Sequence, residues 1–275
     1  MDISWCNDLQ YFILIAISYV WGDISPFTAT KNNIRALCKP GALEIAEFRK
    51  GLPKTVLHAI ALTESLMENY LWCDALCIVQ DDENKHEELA NMASIYANAS
   101  LTIIAANGED ANYGLLGLPG ISGPRSCHTK TWSLGEFLKL QQVPGAHATG
   151  PSRSTSSIWK SRAWTWQEGL FSRRQLIFHD DMVSWQGAHG ARHEHVFWPN
   201  ESVWAGPRFF SLVHGAPSSS FTNRIPDMDS VFRLIRSFNV LDFSYPEDAL
   251  TAFAGIMTAV GRSCDGGFIS GLPAL

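Results

Sequence analysis

Apolar, β-rich runs alternate along this chain with segments of helical period, and that alternation predicts an α/β fold with a mainly parallel, helix-flanked sheet. Tyr11–Val20 is apolar, β-branched and aromatic, and closes on Gly22-Asp23. Tyr70–Val79 and Leu101–Ala106 have the same character. Between them lie two helical patterns, so the order strand, helix, strand, helix, strand implies right-handed parallel crossovers.

The first run reads as a central strand entering a loop. Residues 24–51 carry Pro26, Asn32, Asn33, Pro40 and Gly41 and read as loop with short elements. Pro53 opens a helix whose inner face is Val56, Ala59, Ile60, Thr63 and Leu66, with Met67 beside it. Tyr70–Val79 is the second buried strand. Asp81-Asp82-Glu83 places negative charge at the start of a helix that runs to about Asn98, with Leu89, Met92, Ile95 and Tyr96 inward. Leu101–Ala106 is the third strand. Ligands of such sheets collect beyond the carboxyl ends of the strands, which here are Tyr19–Asp23, the Asp74 region and Asn107–Asp110.

Residues 111–157 are rich in Gly, Pro and Ser, and 145–157 reads as a surface loop. Ser161–Phe171 reads as a helix ending at Arg173-Arg174, and Gln175–His179 with Met182–Gln186 as a hairpin around Asp180-Asp181. The stretch 187–224 shows no period. Two helices follow near Asp227–Leu241 and Pro246–Arg262. The expected organisation is a core over 1–187 with the insertion at about 111–157, and a mostly helical C-terminal extension, 188–275, packed on it.

Composition narrows the function. The net charge of −6 disfavours nucleic acid and an anionic membrane surface as partners. The run Tyr11–Val20, about ten residues, is too short to span a bilayer. Asp2 stands where a signal peptide would be basic. None of the six cysteines forms a CxxC pair, which fits free thiols in a reducing compartment. A soluble, cytoplasmic protein is expected. His189, His193, Glu194 and His195 lack metal-site spacing, so no metal is expected. No GxxxxGK phosphate loop exists, which disfavours an ATPase.

Four segments carry a resemblance: Ser18-Tyr-Val-Trp-Gly-Asp23, Tyr70-Leu-Trp-Cys-Asp-Ala-Leu-Cys-Ile-Val-Gln-Asp-Asp82, Met92–Ala106 and Ser161-Arg-Ala-Trp-Thr-Trp-Gln-Glu-Gly-Leu-Phe-Ser-Arg-Arg174. In this order they resemble the signature blocks of the fungal HET (heterokaryon incompatibility) family. Phe253-Ala-Gly-Ile and Phe268–Leu272 look like its C-terminal flank. The chain begins shortly before the first strand and ends without a partner domain, which leads us to expect a stand-alone or truncated version. HET domains are remotely similar to TIR domains, so the resemblance implies a TIR/flavodoxin-like sheet.

The same resemblance implies a death effector of heterokaryon incompatibility and fungal innate immunity. It implies NAD as a substrate with no further cofactor, self-association into a homo-oligomer, and an incompatibility partner protein. Ser161–Leu170 reproduces the Trp-to-Glu spacing of a TIR pattern, which makes Glu168 the equivalent catalytic acid, with Asp74 at a strand end. For substrate binding the candidates are Ser18, Tyr19, Trp21, Gly22 and Asp23 in the first loop, Trp164 for stacking, and Arg162, Arg173 and Arg174 for the pyrophosphate. Two readings stand side by side: an NAD glycohydrolase, and a non-catalytic module that signals by assembly. In the second, Glu168 pairs with Arg173 or Arg174, Asp74 is a structural pair, and Ser18–Asp23 build a strand exit.

Overall fold

The computed structural model describes residues 13–125, 131–134, 138–141, 157–179, 182–187, 190–194, 228–243, 248–261, 268–269 and 272–273. Its centre is β1 (Leu14–Ser18), buried along its whole length. Alternate side chains go to opposite faces: Ile15 and Ile17 join one core cluster, while Ala16 joins another. A strand apolar on both faces is what a covered parallel sheet requires.

Short elements follow β1: α1 (Ile34–Leu37), a 3-10 turn at Ala42–Glu44, and α2 (Ala46–Gly51). Pro53 then leads into α3 (Lys54–Ser65), which buries Val56, Ala59, Ile60 and Thr63. Leu66 and Met67 depart from the expected inner face. The helix stops at Ser65, Met67 takes a left-handed φ of 60°, and its side chain is 89% exposed.

β2 is shorter than expected. It spans Tyr70–Trp72, and the chain then turns into α4 (Asp74–Cys77), so Asp74 opens a one-turn helix instead of extending a strand. An apolar run cannot by itself distinguish a strand from a buried helical turn. The Gln80 amide fixes the turn, donating to the Asp74 and Ile78 carbonyls at 3.1 Å each. Asp81-Asp82-Glu83 precedes the next helix, α5 (Lys85–Asn98), whose first turn holds Glu87 and Glu88. Asp81 accepts the Lys31 backbone N–H at 2.7 Å and Asp82 pairs with Lys31 at 3.7 Å, so the triplet ties a neighbouring loop.

β3 (Leu101–Ala105) returns to the sheet. The insertion after it contains a separate antiparallel pair, β4 (Thr131–Leu134) with β5 (Leu138–Gln141). Most of the 145–157 segment lies outside the described residues. The segment expected as one helix from Ser161 is two, α6 (Ile158–Ser161) and α7 (Ala163–Phe171), broken at Arg162 with φ −84° and ψ 138°. Asp242 makes the break: its N–H donates to the Ser161 carbonyl at 2.6 Å and its own carbonyl accepts from Ala163 at 3.2 Å. The sheet continues through β6 (Gln175–Phe178), β7 (Val183–Gly187) and β8 (Gly190–His193).

The strand order is β2-β1-β3-β6-β7-β8. The first four run parallel, and β7 and β8 add antiparallel to the edge. The fold is therefore α/β, mostly parallel and helix-flanked, and its parallel part follows the 2-1-3-4 order of doubly wound sheets. The β6–β7 pair is the expected hairpin, with Phe178 opposite Val183; Asp180 and Asp181 lie outside the described residues. β8 belongs to the main sheet, so the boundary expected at 187/188 falls inside an antiparallel pair.

The C-terminal part is mostly helical, with α8 (Met228–Phe238) and α9 (Ala249–Gly261), then a short pair of strands, β9 (Phe268–Ile269) with β10 (Leu272–Pro273). Phe238, Phe253 and Ile256 pack with Trp159 and Trp166 in one cluster, which seats this layer on α6 and α7. Among the described residues, no helix is long and apolar enough to cross a membrane.

Candidate functional site at the strand ends

A half-open cavity of about 800 Å³ lies beyond the carboxyl ends of the parallel strands. The turn after β1 supplies Tyr19, Trp21, Gly22 and Asp23, the turn after β2 supplies Asp74, and the turn after β3 supplies Glu109. Arg162, Trp164 and Glu168 enter from the α6–α7 segment, and Lys85 from α5. Asp242, Phe243 and Asp248 close the wall from the C-terminal layer.

Asp74 sits on the cavity floor. Its Oδ2 accepts the Trp21 indole N–H at 2.9 Å and its Oδ1 accepts the Ala75 N–H at 2.7 Å. Burial pushes its pKa up to about 6, although these bonds, the Tyr19 hydroxyl and the Arg162 charge all favour the carboxylate. Removing the indole donor should raise the value further. For Trp21→Phe we expect the Asp74 midpoint to climb by about one unit, the worth of a charged hydrogen bond, in a carboxyl carbon NMR titration.

Glu168 is 5% exposed. Burial pushes its pKa up to about 8, and the Asp74 charge adds to the rise. Hydrogen bonding with Ser18 and Tyr96 and the Arg162 charge oppose it. Burial thus raises both carboxyl groups of one cavity, and Glu168 further than Asp74 because the Asp74 charge adds to it. Ser18 is itself buried and anchored, because its Oγ accepts the Trp159 indole N–H at 2.8 Å. The Tyr96 hydroxyl donates to the Ile17 carbonyl at 2.9 Å, fixing helix α5 to β1 behind the site. Burial also pushes the phenol of Tyr19 up, with its hydroxyl 3.6 Å from the Cys73 thiol.

The structure thus gathers Tyr19, Trp21, Gly22, Asp23, Asp74, Arg162, Trp164 and Glu168 around one cavity, with Ser18 directly behind Glu168. Arg173 and Arg174 are not brought there. They are exposed and precede β6, at the amino ends of the parallel strands, where the Arg174 carbonyl accepts from Thr102 and its guanidinium donates to the Ser100 carbonyl. Sequence reasoning missed Trp159, Tyr96, Lys85 and the wall residues Asp242, Phe243 and Asp248. The signal for the first two was there, since a buried Trp or Tyr needs a partner for its polar end.

Gly22 has a reason other than ligand access. Its φ is +71°, and a Cβ there would lie 2.4 Å from the Asp110 Cβ and 2.7 Å from the Glu109 carbonyl oxygen. The first and third strand-end loops therefore touch through it. Gly22→Ala should destabilise the fold by about 2 kcal/mol or more, combining the left-handed penalty with the clash, and urea denaturation would measure this.

Residues 14–168 match the model of the heterokaryon incompatibility protein (HET) family, more than half of the chain. This chain belongs to the HET family. No curated protein and no solved structure matches it. The HET match begins at the first residue of β1 and ends on Glu168, so it contains every strand-end residue of the cavity. Asp242, Phe243 and Asp248 lie beyond it. Among the described residues of this HET protein, no group of three or more His, Cys, Asp or Glu side chains is arranged to hold a metal ion; His189 and His195 lie outside those residues.

Proposed function

We propose that this HET protein is a cytoplasmic cell-death effector that hydrolyses NAD at the nicotinamide–ribose bond when self-associated, in response to an incompatibility partner protein. The observation that carries this reading is the pair Asp74 and Glu168, two buried carboxyl groups lining one cavity together with Trp21 and Trp164. In the reaction the ribose–nitrogen bond breaks, the bonding pair leaves with nicotinamide, and water adds to the ribose carbon. The products are ADP-ribose, nicotinamide and a proton. Nicotinamide leaves from a cationic ring and needs no general acid. What the site must supply is negative charge beside an oxocarbenium-like ribose. Asp74 supplies it at rest. The cationic ring entering beside Glu168 favours loss of its proton, which gives a second carboxylate to hold the ribose hydroxyls. An indole face can stack on a flat base, and Arg162 can pair with the pyrophosphate.

Purified protein, dilute and concentrated, incubated with NAD and followed for nicotinamide release, tests the proposal. Release that grows more than linearly with protein concentration is the expected result. One observation favours the alternative of a non-catalytic assembly module: Glu168 is nearly buried and already bonded to Ser18 and Tyr96, as a structural core acid would be. Cell death that persists in Glu168→Gln, with no turnover at any concentration, would establish that alternative.

A further inference from the structure

Charge around the cavity is lopsided. Asp23 from the loop after β1, Glu109 from the loop after β3, and Asp242 and Asp248 from the C-terminal layer all line it. These four carboxylates come from three separate parts of the chain. Among the described residues two cations oppose them, Lys85 at the first position of α5 and Arg162 at the helix break. Arg162 is already engaged, because its charge acts on both Asp74 and Glu168. The main chain of Asp242 holds the Arg162 segment in place through the bridge described above, so this acid and the cation are positioned together.

We propose that this arrangement makes the cavity selective for a dinucleotide with a cationic base and a single diphosphate, and that Asp23, Glu109, Asp242 and Asp248 are specificity determinants that reject a further phosphate on the ribose. The choice of ligand rests on the NAD reading; the sign of the selection comes from the wall itself. Lys85 and Arg162 can balance one diphosphate. The extra ribose phosphate of NADP adds about two more negative charges, and among the described lining residues the charged groups left to meet it are carboxylates. Asp23, Glu109 and Asp242 are exposed, so their repulsion is screened over about 8 Å at physiological salt. Summed over four carboxylates it still amounts to about tenfold discrimination.

The test compares oxidised NAD with oxidised NADP on the full chain, as kcat/KM for nicotinamide release and as Kd by calorimetric titration, at low and physiological ionic strength. A preference for NAD of about tenfold is expected, shrinking as salt is added. The variant Glu109→Gln/Asp248→Asn should cut it several-fold. Equal constants for the two dinucleotides, a salt-independent preference, or an unchanged ratio in the folded variant would overturn the proposal. If both ligands bind with the expected preference and neither turns over, selection stands and the hydrolase reading falls. If neither binds to folded protein, both fall.

Discussion

Glu168→Gln is expected to abolish nicotinamide release and, at the same time, to strengthen the fold at alkaline pH. The catalytic loss should be about a hundredfold or more, the usual worth of a positioned carboxylate. The stability gain follows from linkage. The carboxyl titrates near 8 in the folded protein, above the ordinary glutamate value of 4.5, so between those values the folded state binds more protons than the unfolded state. Stability is therefore fully present below about 4.5 and is lost as pH rises through about 8. Glutamine stays neutral throughout and still fits between Ser18 and Tyr96. Between pH 5.5 and about 8 the wild-type protein should lose on the order of 3 kcal/mol, at about 1.4 kcal/mol per unit, whereas the variant should lose little. Thermal melts at pH 5.5, 7 and 8.5 would show curves that diverge by several degrees at the alkaline end. Parallel curves would mean that Glu168 is not held protonated. In the wild type, kcat/KM should climb with pH through the same region, because the reaction needs the carboxylate that burial suppresses.

Gly255→Ala should destabilise the protein even though helix propensity favours the change. Within a helix, alanine is better than glycine by about 1 kcal/mol. On α9, however, a Cβ at position 255 would lie 2.3 Å from the Ala93 Cβ, 3.1 Å from the Gln167 amide nitrogen and 3.1 Å from the Phe171 ring. Those atoms belong to α5 and α7, which pack together under the cavity, and Gln167 is buried. The helices must separate, and overpacking of this kind costs about 2–3 kcal/mol, which outweighs the propensity term. A lower midpoint in urea is the expected readout. Ala93→Gly in the same chain removes the opposing methyl group and should restore part of the loss, a coupling that a double-mutant cycle measures. An increase in Tm for Gly255→Ala would show that α9 does not seat as closely as described.

The parts of the fold legible in the sequence were those whose pattern is local. β1 announced itself by being apolar on both faces, α5 by its period, and the β6–β7 hairpin by Asp180-Asp181 between two β-rich runs. β2 was overread because Tyr70–Val79 stays apolar while the backbone changes from strand to helical turn at Asp74. The break at Arg162 had no local signal, since Asp242 imposes it from a distant segment. β8 is four residues on an edge, too short to show alternation. The site divided along the same line. Acids and tryptophans at strand ends could be read from position in the pattern. Lys85 and the wall residues Asp242, Phe243 and Asp248 could not, because their place depends on how α5 and the C-terminal layer dock.

The bridge between Arg162 and Asp242 also bears on when the cavity comes into being during synthesis. Chains fold from the amino end as they emerge from the ribosome. A nascent chain that has delivered β1, β3 and Glu168 but still holds residue 242 in the exit tunnel has both carboxyl groups and lacks the backbone clamp on the Arg162 segment. Completion is left to a segment translated well after Glu168, so a lethal activity housed here would stay latent until that segment has emerged and docked.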